Sequence, residues 1–498
     1  MKKIINTGIA VLLFCVFYSC SESWLETVSN DTYNEANWWQ TESQAISSIN
    51  GCYAVLRNSH IGGTSNMSED NITPNSYNMS GEIAIATGNH TPGNDTRFRD
   101  KWNVCYQGIG RANNLLDNID KVVMTDALKQ RIKAEAYFLR AFFYSKLINY
   151  YGGVPLILSA PNFAEQSDLP RNSKEEVLTQ VLADLDNAAS VLPVSYSGAD
   201  KGRATKGAAL ALKTRVLLYE SKWAEAAAAA KSVMELNQYI LFSDYRALFY
   251  LENEFNKEII FDIQFKTPEY TNGFDNILEV QMNCAPTLDL ANSYLMKDGK
   301  IMQESPLYDP DHPWENRDPR FHKTIVVPGY MYLGRIVPES KYFSTGFGFK
   351  KYTTYKDDVA QSVILNSEIN FIVLRYADVL LMYAEAQNEA VGPDESVYAA
   401  LKQIRTRAGM PEIEAGLSKD QMRQVIRHER RIELANEGLY YTDIRRWKTA
   451  EIVMNATVLS RTGQLVQTRT FNPNRDYLWP IHEITIQDNP KLQQNPNY

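Results

Sequence analysis

The sequence is poor in the residues that most catalytic and metal chemistry depends on. Its 498 residues include only five cysteines and six histidines. Cys15 and Cys20 fall in the N-terminal segment, which leaves Cys52, Cys105 and Cys284, an odd number without a CxxC spacing. A disulfide framework is not indicated, and scattered thiols of this kind are more often buried apolar fillers than ligands. The histidines at 60, 90, 312, 322, 428 and 482 show no ligand spacing, and no GxSxG, HExxH or GxxxxGK[ST] run occurs. Asp309, Asp311 and Glu315 are oxygen donors of the type calcium takes, but Pro310 and Pro313 replace the glycine-centred turn of an EF-hand. No catalytic residue, metal or cofactor is assigned. Long basic runs are missing too, and the net charge of -8 gives no electrostatic reason to expect nucleic acid as a partner.

What is present points to a large globular chain, 44% hydrophobic and 22% charged. It starts with Lys2-Lys3, a mostly apolar stretch over 4–17 and Ser19-Cys20, the pattern of a signal peptide over 1–19. The stretch is too short to span a membrane comfortably. A small residue before Cys20 makes that thiol the expected lipidation site, with plain cleavage and secretion as the alternative. Several acyl chains would hold the protein to a membrane almost permanently. Residues 21–36 are small and polar and read as a tether to one body over 20–498.

Within that body, apolar residues recur at helical spacing over 37–58, and again in pieces over 101–250, notably 132–151, 174–192, 205–219 and 223–236. Gly152-Gly153 and Pro155 end the first of these pieces. Between them, 59–100 is rich in Gly, Ser, Thr and Asn and reads as a long loop region whose contact candidates are Asn75, Tyr77, Asn78, His90, Phe98 and Arg99. The alternative for each is a solvated polar group or an aromatic anchor. A short strand is expected over 258–265, opening an irregular lobe over 256–370 that holds Tyr270, Phe274, Trp314, Tyr330 and further aromatics. Helices return over 371–450, broken at Gly392-Pro393-Asp394, and a Pro- and Asn-rich tail over 476–498 follows. The fold class is mostly α: a tetratricopeptide-like helical-hairpin scaffold with a loop-rich lobe and few short strands.

The run 427–438 puts Arg430, Glu433 and Glu437 three or four apart and reads as one ion-paired helix. Glycosidases commonly use two carboxylates, one of raised pKa. Here Glu429, Glu433 and Glu437 sit among arginines, which keep carboxylates ionised, so this acidic set reads as structural.

Several runs together resemble the SusD/RagB family of outer-membrane glycan-binding lipoproteins of the Bacteroidetes. They are 374–381, Arg405-Thr-Arg-Ala-Gly409, Glu429 through Gly438, Asp443-Ile-Arg445-Arg446-Trp447 and Tyr477-Leu-Trp-Pro-Ile481 through to Tyr498. The stretches 131–144, 150–155, 203–215, 286–299 and 316–321 extend the likeness over nearly the whole body. The resemblance implies a non-catalytic surface protein that captures oligosaccharides and passes them to a SusC-like TonB-dependent transporter. It also implies a shallow platform with aromatics drawn from the early loops and the lobe. Sugar C–H faces pack on aromatic planes and hydroxyls need fixed polar partners. Tyr77, Phe98, Trp314 and Tyr330 are the expected stacking residues, with Asn75, Asn78 and Arg99 as hydroxyl partners; for Trp314 core packing is the alternative. Capture of peptides or another nutrient, or a surface glycoside hydrolase, are the competing readings.

Overall fold

The computed structural model describes residues 38–80 and 83–498. The signal segment, Cys20 and the 21–36 tether lie outside the described residues. Helix α1 (Glu42–Ala54) opens on a capping box, in which the Thr41 hydroxyl accepts from Gln44 N and the Gln44 side chain accepts from Thr41 N. There follow α2 (Arg97–Asn118), α3 (Asp126–Tyr151), α4 (Lys174–Val191), α5 (Lys206–Tyr219) and α6 (Trp223–Glu235). Each packs on the next, the pattern of a helical solenoid in which neighbours bury one another's apolar face. Close approach needs small residues. A Cβ added at Gly108 of α2 would lie 2.1 Å from Phe143 of α3, and Ala226, Ala227, Ala229 and Ala230 of α6 are all buried.

The chain then leaves the stack and returns as α7 (Tyr376–Val391), which packs directly on α6 before α8 (Glu395–Ala408) and α9 (Lys419–Glu433) extend the array. The excursion between α6 and α7 is the lobe. Its two ends are held by antiparallel strands β1 (Ile259–Ile263) and β2 (Phe371–Arg375), with Ile263 opposite Phe371 and Ile259 opposite Arg375. The remaining strands among the described residues form pairs of two to four residues each. One apolar core runs through helices and lobe, and a satellite of Val326, Tyr332, Leu333, Val337, Tyr342 and Tyr355 sits within the lobe.

Three expectations need correction. Residues 59–100 are not a plain loop: they contain one-turn helices at Ser59–Gly62, Thr64–Met67 and Ala84–Thr87, and α2 already starts at Arg97. A single turn is too short to show a helical period, and the first is set by a local cap, with Asn58 Oδ1 accepting from His60 N at 3.0 Å. Second, 371–375 is a buried strand rather than the start of the helical stretch. Third, α9 stops at Glu433, so Glu437 lies beyond it, past Asn436 at φ 63.

Candidate functional site

The charged motifs of the C-terminal half turn inward. β2 delivers Arg375 into the core, where its guanidinium reaches Glu258 at 2.8 Å, Glu433 at 2.6 Å and Glu437 at 2.6 Å. Arg407 and Arg320 also contact Glu433, at 2.5 and 3.0 Å, and Lys351 contacts Glu437 at 2.7 Å. Alongside, Arg430 bridges Asp378 and Asp443 at 2.5 and 2.8 Å. The left-handed turn at Asn436 and Gly438 lets Glu437 fold back onto Arg375. Burial pushes the Glu433 carboxyl up, but Arg407, Arg375 and Arg320 outweigh it and hold it far below the usual carboxylate range. The Glu437 carboxyl is lowered in the same way against its burial, by Arg375 and Lys351. A general acid needs the opposite shift, so Glu433 and Glu437 are placed as ties between helices and lobe.

The seven residues expected to meet a ligand fall into three separate groups. Tyr77 is half-buried on a short strand opposite Ala285, and Asn78 next to it is half-buried, its Oδ1 accepting from Ser80 N at 3.2 Å. Asn75 is fully buried, and its side chain accepts from Arg431 Nε at 2.8 Å. In the second group Phe98 is a correction: its ring has no exposure and packs edge-on to Trp479 at 5.3 Å, while Arg99 stays half-buried beside Asp100. His90 is likewise buried against Phe98 and Tyr498. In the third, Trp314 is stacked on Phe321 and only 8% exposed, which makes it a core side chain. Tyr330 is half-buried, 4.6 Å from the His322 ring, and His322 Nε2 lies 2.9 Å from the Trp314 carbonyl. Asn75, Phe98 and Trp314 thus offer no surface to a ligand, because each is consumed by packing or a buried hydrogen bond.

An open groove of about 300 Å³ provides what these positions lack. Its walls are the C-terminal end of α1 and the following turn (Asn50, Arg57), the turn over 199–203, the end of β1 (Asp262, Gln264) and Tyr270. Tyr270 is 52% exposed, and the Arg57 guanidinium lies 3.9 Å over its ring. A tight turn presents it: Lys266 and Tyr270 exchange both backbone hydrogen bonds, and Glu368 accepts from Thr267 N and Oγ1. Burial pushes the Asp262 carboxyl up to about 6 although Asn370 Nδ2 donates to it at 3.0 Å. Tyr270 was visible in the sequence only as one of many lobe aromatics. Its partners come from α1 and the 199–203 turn, at no characteristic spacing.

Among the described residues no group of three or more His, Cys, Asp or Glu is arranged to hold a metal ion, and no helix is long and apolar enough to cross a membrane. Asp309 instead pairs with His312 at 2.8 Å.

Comparison with known proteins covers the chain in two parts. The SusD family model matches residues 257–498, and one described as starch-binding associating with outer membrane matches residues 23–218. SusD-like protein P38 of Formosa agariphila is 28% identical, with all of both chains covered. The crystal structure of a SusD-like carbohydrate-binding protein from Bacteroides fragilis superposes with a TM-score of 0.84 at 28% identity, covering 91% of this chain and 99% of that one. A laminarin-binding SusD-like protein superposes with a TM-score of 0.72 at 26% identity, covering 92% and 100%.

Proposed function

Since the chain belongs to the SusD family, we propose that it is a surface lipoprotein of the outer membrane that captures oligosaccharides and passes them uncut to a SusC-like TonB-dependent transporter. The observation that carries this reading is the open groove, where a half-exposed aromatic ring stands among amide, guanidinium and carboxyl groups. That combination suits a sugar, whose C–H face packs on a ring while its hydroxyls take fixed partners. The likeness to carbohydrate-binding and laminarin-binding relatives over almost the whole chain supports the same ligand class. Tyr77, Asn78, Arg99 and Tyr330, half-buried on the early loops and the lobe, are proposed as further contacts. Capture without cleavage fits the Glu429, Glu433 and Glu437 set, which arginines hold in place. A shallow site must order a flexible ligand with little burial, so affinities in the micromolar to millimolar range follow, roughly -8 to -4 kcal/mol. Attachment through Cys20 and the tether would keep the site at the cell surface.

A glycan-array screen of the purified protein with plant, host and microbial glycans tests the reading. Saturable binding to one glycan class is the expected result. Silence on every glycan together with binding of oligopeptides would transfer the same scaffold to peptide capture.

A further inference from the structure

We propose that the Arg57–Tyr270 groove selects acidic sugars: the saccharide ring packs on Tyr270 while its carboxylate or sulfate is held by Arg57 and Lys201. The proposal rests on the glycan-capture reading and names its ligand class.

The charge of the lining is the first observation. Its three cations are Arg57, Lys201 and Arg203, against a single carboxyl, Asp262, in a chain whose net charge is -8. Arg203 is already engaged, by Asp200 at 2.7 Å, Glu135 at 2.9 Å and the Asn50 amide oxygen at 2.8 Å. Arg57 and Lys201 are different. Among the described residues neither side chain has a hydrogen bond or an ion pair, and the Arg57 guanidinium lies over the ring of Tyr270. Two cations without an internal partner on one groove leave room there for a counter-charge from outside.

Geometry is the second. Arg57 lies over one face of the half-exposed Tyr270 ring, so a sugar takes the other face, while the guanidinium edge remains free to donate, a planar fork suited to a carboxylate or sulfate. The groove floor is shaped for close approach: the Gln264 carboxamide lies against Gly202, where a Cβ would meet Nε2 at 1.2 Å, and donates to the Lys201 carbonyl at 3.3 Å. Gly202 sits at φ 90, which a larger residue would strain. The turn that carries Tyr270 is pinned by Glu368, so the ring is held in place before any ligand arrives. Gln264 then faces the sugar's hydroxyls, with Asp262 buried behind it against Asn370.

The test titrates the purified full chain with three oligosaccharides of equal length: a neutral β-glucan, an oligogalacturonate and a sulfated galactan. The expected result is that one or both acidic ligands bind, more weakly as ionic strength rises. Preference between the uronate and the sulfated chain tells which anion the groove takes. Arg57→Gln with Lys201→Gln should weaken acidic binding by about tenfold or more and any neutral binding far less. Both side chains are on the surface, and unchanged thermal unfolding checks that the double variant is folded. Tyr270→Ala should weaken every ligand that occupies the groove. Unaltered acidic binding by the double variant overturns the proposal, and so does binding of the neutral chain alone, which leaves the capture reading standing. Silence with all three, and on the wider array, overturns both.

Discussion

Arg375 Nη1 donates to Glu433 Oε1 across 2.6 Å in the core, and neither side chain is more than 1% exposed. The pair joins the end of the lobe's closing strand to the last turn of α9, so the excursion between α6 and α7 is locked to the helical stack by charge as well as by apolar packing. Removing one member of such a network takes a charged partner from several others at once. Glu433→Gln leaves Arg375, Arg407 and Arg320 to Glu258, Glu437, Asp318 and Glu429, and should cost about 1.5–3 kcal/mol of unfolding free energy by chemical denaturation. A loss below the scatter of ordinary surface variants would show that the network is not what holds the lobe.

The same carboxylate has a pH signature. Its folded pKa lies below the unfolded value of about 4.3, so its stabilisation is fully present above that pH and is lost as pH falls below it. The deficit of the Glu433→Gln variant against the parent should therefore be constant near neutrality and shrink below about pH 4. A deficit that instead grows on acidification would mean that the carboxyl is protonated in the folded state.

The turn after α9 is a separate prediction. Gly438 has φ 70, and a Cβ there would come within 2.5 Å of the Asn66 carbonyl oxygen. Gly438→Ala should destabilise by about 1–3 kcal/mol, from backbone strain and from displacing Glu437 off Arg375. Thermal unfolding of the variant measures it, and an unchanged midpoint would contradict the role given to this turn.

Much of the scaffold was legible because it repeats one signal. Helices α3 to α6 each carry an extensive apolar or alanine-rich surface, and α3 ends at a recognisable breaker, Gly152-Gly153. Strand β2 was not legible, since four apolar residues and an arginine running into a helix have no period of their own. Nor was the destination of the charged run: spacing pointed to pairs within one helix, but Glu433 and Glu437 meet Arg375 from 58 and 62 residues away. At the candidate site, residue type could not separate surface from core. Tyr77 and Tyr330 kept exposure, whereas Phe98 and Trp314 went into ring-to-ring packing. The Arg57–Tyr270 contact unites α1 with the lobe and leaves no trace in spacing.

That difference separates the aromatic variants. Tyr77→Ala and Tyr330→Ala should each reduce affinity for the captured glycan by about five- to twentyfold, with small changes in stability. Trp314→Ala should act on folding, at a cost of about 3–5 kcal/mol. Calorimetry and denaturation on the same three proteins distinguish the two outcomes, and a fully stable Trp314→Ala protein that binds nothing would put Trp314 back at the site.

Anchoring is tested in cells. If the proposed anchor is on Cys20, Cys20→Ala should move the protein from the membrane fraction to the soluble fraction. Retention of the variant on membranes would contradict the lipoprotein assignment.

The most direct test of capture without cleavage is a calorimetric titration of the protein with the strongest array oligosaccharide, followed by chromatography of the same mixture after prolonged incubation. The account predicts saturable heat and an oligosaccharide of unchanged length. Shortened products would contradict it by making the protein a hydrolase, and the absence of heat with every glycan would remove the glycan reading altogether.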